Sequence, residues 1–237
     1  MKMFAKIRFY YGSFVISFIA AGVMIPLMML FKKRRIKILH TWNKIIMFLI
    51  GGKIKTTGQR NNNANMFVIN HQGIIDIISM EAVENSNLRW VAKKELFDAP
   101  WFGYVLKLPK MISIDRNNKS GLIQLLRDVK EIKENTTQDI VTIFPEGTRT
   151  DKQNLLPFKE GTRIIAEKLK LTIQPIVITN SKILLNEHNK TAHKATVHIT
   201  YLDTFQVDKN NKGWYKELQL SMQKVIDEEE KIHKRER

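Results

Sequence analysis

The 237-residue chain contains no cysteine, which removes disulfides, thiolate metal sites and cysteine nucleophiles at once. Any thioester chemistry must therefore run without a covalent cysteine intermediate. No G-x-S-x-G segment is present to set a serine on a nucleophile elbow. The six histidines show no H-E-x-x-H or comparable ligand spacing. Acidic residues are missing before Asp76, whereas residues 1–60 carry twelve Lys and Arg. The remaining 27 basic residues face all 23 acidic ones, so the net charge of +16 is unevenly spread. Such asymmetry points to a polyanionic partner of the N-terminal region, either a membrane or a nucleic acid.

A further absence decides between these partners. Gly12 to Phe31 carries no charge over twenty residues, long enough to cross a bilayer. Lys2, Lys6 and Arg8 precede this run, and Lys32-Lys33-Arg34-Arg35 follows it. The basic flank and the lack of a small-x-small cleavage site speak against a secretory signal. Tyr10, Tyr11 and Trp42 stand where interfacial anchors would. Residues 1–52 are therefore expected to form a membrane-associated helix or helical hairpin, with Pro26 as a potential kink and a second apolar stretch at Ile45–Ile50. Membrane lipids, not nucleic acid, are the expected partner. The heavier basic cluster favours a body on the cytoplasmic side, which is the inner membrane if the chain is bacterial.

Residues 53–237 read as the globular body, with the polar stretch Lys53–Asn65 as a linker into it. Short apolar runs at Met66–Ile69, Leu88–Ala92, Met111–Ile114, Asp139–Phe144, Leu171–Thr179 and Thr196–Tyr201 read as strands. Helical patterns fall between them, the clearest carrying Leu122, Leu125, Leu126, Val129 and Ile132 on one stripe. This alternation predicts an α/β fold, a central and mostly parallel sheet flanked by helices. The segment Pro100–Leu106 is apolar and aromatic, and reads either as core or as a wall facing lipid or an acyl chain.

Two constellations carry chemistry. His71 follows the Met66–Ile69 strand, where open α/β sheets bind ligands. Asp76 lies five residues on; on one regular helix the two side chains would point roughly 140° apart. They meet only if the chain turns between them, which Gly73 permits. With His71 on the loop and Asp76 in the first helical turn, the carboxylate would hold one imidazole nitrogen and leave the other free to take a proton. The alternative is a loop histidine beside a helix-capping aspartate. The second constellation is Phe144-Pro145-Glu146-Gly147-Thr148-Arg149. A tight turn after a buried strand can aim successive N–H groups at an anion, and Arg149 adds a planar fork suited to phosphate. Glu146 would compete with the anion unless it pairs with an arginine or lysine, so it is expected to position a partner. Arg116, just past another strand, would add charge to the same rim.

Together these segments resemble the 1-acylglycerol-3-phosphate acyltransferase family. Asn70-His71 through Asp76 matches its NHxxxxD box, and Phe144–Arg149 matches its FPEGTR box without a mismatch. Looser matches are Lys110–Arg116, for the family's G-x-I-F-I-D-R segment, and Gln174-Pro175-Ile176. The resemblance implies acyl transfer from acyl-CoA or acyl carrier protein, as co-substrate, to the sn-2 hydroxyl of lysophosphatidic acid, giving phosphatidic acid in phospholipid biosynthesis. It implies His71 and Asp76 as the catalytic pair, and Arg116, Glu146, Gly147, Thr148 and Arg149 as the phosphate site, with no cofactor and no metal. Acylation of another lysolipid, such as a lyso-amino-lipid, is the alternative within the family. A membrane-tethered metal hydrolase using His71 and Asp76 is the alternative outside it, and would lose activity in chelator.

Overall fold

The computed structural model describes residues 2–235 apart from 117, 137, 151–153 and 209. The N-terminal run forms one continuous helix: α1 (Lys2–Phe18), a six-residue π stretch (Ile19–Met24) and α2 (Ile25–Leu30). Pro26 does not break it. In the π stretch Ile25 N–H reaches Ala20 O instead of Ala21 O, and the proline ring has no N–H for the Ala21 carbonyl. That orphaned acceptor is taken up by the Trp101 indole N–H at 2.9 Å. A turn at Lys32–Arg34 leads into α3 (Arg35–Leu49), which folds back as a hairpin. Arg8 Nη2 donates to Ile50 O at 3.1 Å, and Arg35 Nε to Met28 O at 2.9 Å, closing both ends.

The chain then enters the sheet without a linker. Gly52–Thr57 is strand β1, paired in parallel with β7 (Ala195–Tyr201) in the register Ile54↔Val197. Its polar composition concealed it, because an edge strand exposes most of its side chains and needs little apolar alternation. The rest follows as β2 (Met66–Ile69), α4 (Ile74–Val83), β3 (Asn87–Lys93), α5 (Lys94–Asp98), α6 (Tyr104–Lys107), β4 (Ile112–Ile114), α7 (Lys119–Asn135), β5 (Asp139–Ile143), α8 (Glu160–Leu169), β6 (Thr172–Thr179), α9 (Ser181–Leu184), β7, β8 (Phe205–Gln206) and α10 (Trp214–Arg235). The strand order is β1-β7-β6-β2-β5-β3-β4, with β8 beside β6. All pairings are parallel except those of β6 with β7 and β8. Pro175 sits where the edge of β6 changes partner, from β8 at Ile173 to β7 at Ile176, so its missing N–H breaks no ladder bond.

Both faces of the sheet are covered, and β2 is apolar throughout for that reason. Phe67 and Ile69 point into a core shared with α3, α4 and the N-terminal helix, through Met24, Met28, Leu39 and Ile46. Met66 and Val68 point the other way, against α7, α8 and α10 through Leu125, Val129, Ile165 and Met222. The N-terminal hairpin thus shares a core with the body. The outward face of α1 carries Met3, Phe4, Ile7, Tyr10, Tyr11, Phe14 and Phe18, all exposed and spaced at the helical repeat.

Candidate active site

Parallel strands place their carboxyl ends on one rim, and every chemistry-bearing residue expected from sequence lies there. His71 follows β2, Arg116 follows β4, and Phe144–Arg149 follow β5, which pairs with β2. Asn70 extends β2 with its side chain: Nδ2 donates to Ile178 O at 2.8 Å, and Ile178 N–H donates to Oδ1 at 2.7 Å. Beyond Asn70 the chain turns, and α4 begins at Ile74 with Asp76 as its third residue.

Asp76 is fully buried, and its Oδ2 collects three hydrogen bonds. Gln72 N–H donates at 2.6 Å, Gly73 N–H at 2.8 Å and His71 Nδ1 at 3.0 Å. With two amides already donating to Oδ2, the arrangement assigns the His71 Nδ1–H as a third donor to it, which leaves the lone pair on Nε2. Among the described residues Nε2 makes no hydrogen bond, and His71 lines a cavity. Phe144 stacks flat on the imidazole, ring centres 3.8 Å apart, and is backed by Trp90 at 5.0 Å. The ring is therefore fixed by a carboxylate at one edge and an aromatic plate across its face.

Glu146 is only 1% exposed, and among the described residues it pairs with no arginine or lysine; the partner it positions is the backbone of the His71 loop. Its Oε1 accepts from His71 N–H at 2.8 Å and its Oε2 from Leu156 N–H at 2.8 Å. Thr150 N–H donates in turn to His71 O at 3.1 Å. The two sequence boxes thus grip each other through backbone groups, and Glu146 faces the His71 loop rather than an incoming anion. Burial raises its carboxyl above the ordinary carboxylate range, against the opposing pull of the Leu156 and His71 amides.

The glycines differ in what they supply. Gly147 has φ +70°, the left-handed region that the turn requires, and its N–H closes the turn on Phe144 O at 3.1 Å. That bond leaves the N–H groups of Thr148 and Arg149 without partners among the described residues. Gly73 is extended, so its turn needs no special backbone freedom; instead a Cβ there would lie 2.7 Å from Glu187 Oε2. Arg116 donates through Nη1 to Gly147 O, and Arg149 pairs with Glu187 at 3.0 Å. Both guanidinium groups remain accessible at the cavity mouth.

The cavity has a volume of about 530 Å³ and two halves. His71, Arg116, Gly147, Thr148 and Arg149 form one end; Ile16, Ala20, Met24, Leu39 and Ile46 of the N-terminal hairpin wall the other. Phe102, Val105 and Leu106 complete the apolar part, so the aromatic segment is a wall rather than core. Two lining or supporting residues were not singled out from sequence. Lys93, the last residue of β3, faces the cavity and had a positional signal at a strand end. Glu187 had none, since it reaches the site only through tertiary folding.

A family model described as acyltransferase matches residues 53–179. A 1-acyl-sn-glycerol-3-phosphate acyltransferase of Helicobacter pylori (strain J99) is 42% identical over 177 residues, 74% of this chain and 74% of that protein. The Cocos nucifera protein of the same name is 29% identical over 71% of this chain and 55% of its own length. The human alpha form is 31% identical over 76% of this chain and 64% of its own. The chain thus spans about three quarters of the bacterial relative and less than two thirds of these eukaryotic ones. The crystal structure of the 1-acyl-sn-glycerophosphate (LPA) acyltransferase PlsC from Thermotoga maritima has the same fold, with a TM-score of 0.80 over 97% of this chain and 98% of that one at 17% identity.

Proposed function

This chain belongs to the acyltransferase family, and from that membership we propose that it is a 1-acyl-sn-glycerol-3-phosphate O-acyltransferase, moving an acyl group from acyl-CoA or acyl carrier protein to the sn-2 hydroxyl of lysophosphatidic acid to give phosphatidic acid. One observation carries the reading: His71 lines one cavity together with Arg116 and Arg149 and with the apolar side chains Ile16, Ala20, Met24, Leu39 and Ile46. A lysophospholipid has the same two halves, with its free hydroxyl between them.

In this reading His71 Nε2 takes the hydroxyl proton as the oxygen attacks the thioester carbonyl. Asp76 holds the tautomer and stabilises the imidazolium that forms. Collapse of the tetrahedral intermediate expels the thiolate, which recovers the proton from His71. A thiolate leaves readily, so no covalent enzyme intermediate is required. Arg116 and Arg149, with Gly147 and Thr148 of the turn, hold the phosphate through charge-assisted hydrogen bonds. Glu146 braces the His71 loop and does not touch substrate.

The same reading puts the N-terminal hairpin in a membrane, with the body on the cytoplasmic side. The helix Lys2–Leu30 is 29 residues long, about 43 Å, and would suffice to span. Its first turn and its middle nevertheless both lie against the body: Ala5 O accepts from Ala192 N–H at 3.0 Å, and Ala21 O from Trp101. That favours a hairpin lying in one leaflet, its exposed apolar stripe in the acyl region. Basic residues beside it add about 1 kcal/mol each toward anionic lipid, less than the stripe supplies. Truncation would uncover the Phe67 face of the core, so the cleaner test replaces the exposed Phe4 and Phe14 of α1 and Phe48 of α3 by Ser. Loss of vesicle flotation with an unchanged thermal midpoint is expected; flotation unaffected by these changes but abolished by a salt wash would mean a purely electrostatic surface arm.

The function is tested by offering purified protein in detergent a panel of lysolipids with acyl-CoA or acyl carrier protein in separate arms. Phosphatidic acid from lysophosphatidic acid is expected in at least one arm. Preferred acylation of a lyso-amino-lipid would replace the acceptor, and no product with either donor would remove the reading.

A further inference from the structure

Glu187 lies beyond the segment matched by the family model. One of its oxygens nevertheless touches both the Arg149 turn and the start of α4. Oε1 accepts from Arg149 Nη1 at 3.0 Å and from Ile74 N–H at 3.1 Å. Ile74 opens α4, the helix that carries Asp76. A carboxylate is favoured at a helix N-terminus by the exposed amides there. The remaining oxygen, Oε2, lies over the bare Cα of Gly73, in space that any side chain at 73 would fill.

The backbone beneath Glu187 is firmly held. Asn186 and Thr191 exchange two backbone hydrogen bonds, at 2.8 and 3.2 Å, and Asn189 N–H donates to Asn186 Oδ1 at 2.9 Å. Leu185 is buried, and Ser181 Oγ donates to Gln72 Oε1 at 3.1 Å, tying the start of this segment to the His71 loop. Ala192, at its other end, is bonded to Ala5 of the N-terminal helix. Glu187 is therefore a fixed post rather than a passing surface partner.

The contact uses one terminal nitrogen of Arg149. Nε and Nη2 make no hydrogen bond among the described residues, and these two nitrogens form one planar edge of the fork that suits a phosphate in a bidentate manner. Resting on the reading of Arg149 as a phosphate ligand, we infer that Glu187 is a positioning residue for the acceptor: it holds the Arg149 guanidinium with its free edge toward the phosphate and registers it against α4, and so against the His71–Asp76 pair. A flexible arginine loses side-chain freedom on binding, and a preset one has less to lose.

The test uses the full-length enzyme in detergent, with lysophosphatidic acid and acyl donor varied separately. Glu187→Gln keeps the size and the Ile74 contact but removes the charge that holds Arg149. It is expected to raise the KM for lysophosphatidic acid roughly fivefold, the scale of a partly exposed ion pair, while kcat and the donor KM stay within about twofold. In an Arg149→Ala background the same change is expected to add nothing. An unchanged acceptor KM in Glu187→Gln overturns the inference, as does an effect that persists undiminished without Arg149. A lowered acceptor KM also overturns it, because the carboxylate would then be occupying the place of the phosphate. If Arg149→Ala by itself leaves the acceptor KM unchanged, the phosphate reading fails first, and the inference fails with it.

Discussion

Asp76 receives three hydrogen bonds on one buried oxygen, two from amides within four residues of it. Arg149, about half exposed, is held by a single carboxylate 38 residues away in sequence. The two lie on one sheet rim but are built by different means. The His71–Asp76 pair is fixed by backbone and by the Phe144 plate, so its geometry does not wait for a ligand. The cationic rim is fixed by long side chains at the cavity mouth, where charge is accessible but geometry is adjustable. Chemistry needs a reaction geometry set to a fraction of an ångström, whereas recognising a phosphate needs reachable charge. Under the proposed function, each end of the site has the rigidity that its task would demand.

The largest expected effect falls on the rigid end. His71→Ala should lower kcat by about 10²–10⁴-fold, with little loss of folding or of vesicle binding; near-normal turnover in folded protein would break the assignment. Asp76→Asn should approach the same loss, because an amide cannot stabilise imidazolium as a carboxylate does. On the adjustable end, Arg149→Ala or Arg116→Ala should cost on the order of 1.5–3 kcal/mol in acceptor use, read as kcat/KM for lysophosphatidic acid, with the donor KM little altered. Arg149→Lys should recover only part, since it keeps the charge and loses the fork. Equal losses for donor and acceptor would make the turn structural and erase the contrast.

Salt sharpens the comparison more gently. Raising ionic strength should increase the acceptor KM through screening at the exposed rim and leave the buried His71–Asp76 pair, and so kcat, nearly constant. The smallest effect concerns Glu146, the brace between the two ends. Glu146→Gln should lower stability by about 1–3 kcal/mol, because its amide N–H₂ would face a backbone N–H. Burial raises the folded carboxyl pKa of Glu146. A raised value means that its contribution is complete below the ordinary carboxylate pKa of about 4.3 and is lost as pH rises through the folded value. The stability advantage of the native protein over Glu146→Gln should therefore shrink as pH rises across that window. An advantage that grows with pH would mean that the amides, not burial, dominate.

The chain alone already contained much of this. Composition excluded thiol chemistry, the uncharged run Gly12–Phe31 marked an apolar helix, and the runs at Met66–Ile69 and Asp139–Phe144 marked strands buried on both faces. The two boxes were readable because each is local: His71 and Asp76 meet through one turn, and the Phe144–Arg149 turn needs only its own φ angles. What was not legible depends on contacts distant in sequence. Strand β1 is polar because it is an edge, and only its pairing with β7 reveals it. Glu146 looks like a charge seeking a cation until the His71 and Leu156 amides are seen beside it. Gly73 looks like a turn glycine until Glu187 is found against its Cα. Pro26 looks like a kink, yet the π stretch and Trp101 absorb it. Short-range geometry is written in residue type and spacing, whereas burial and the partners of a charge depend on which segments the whole sheet brings together.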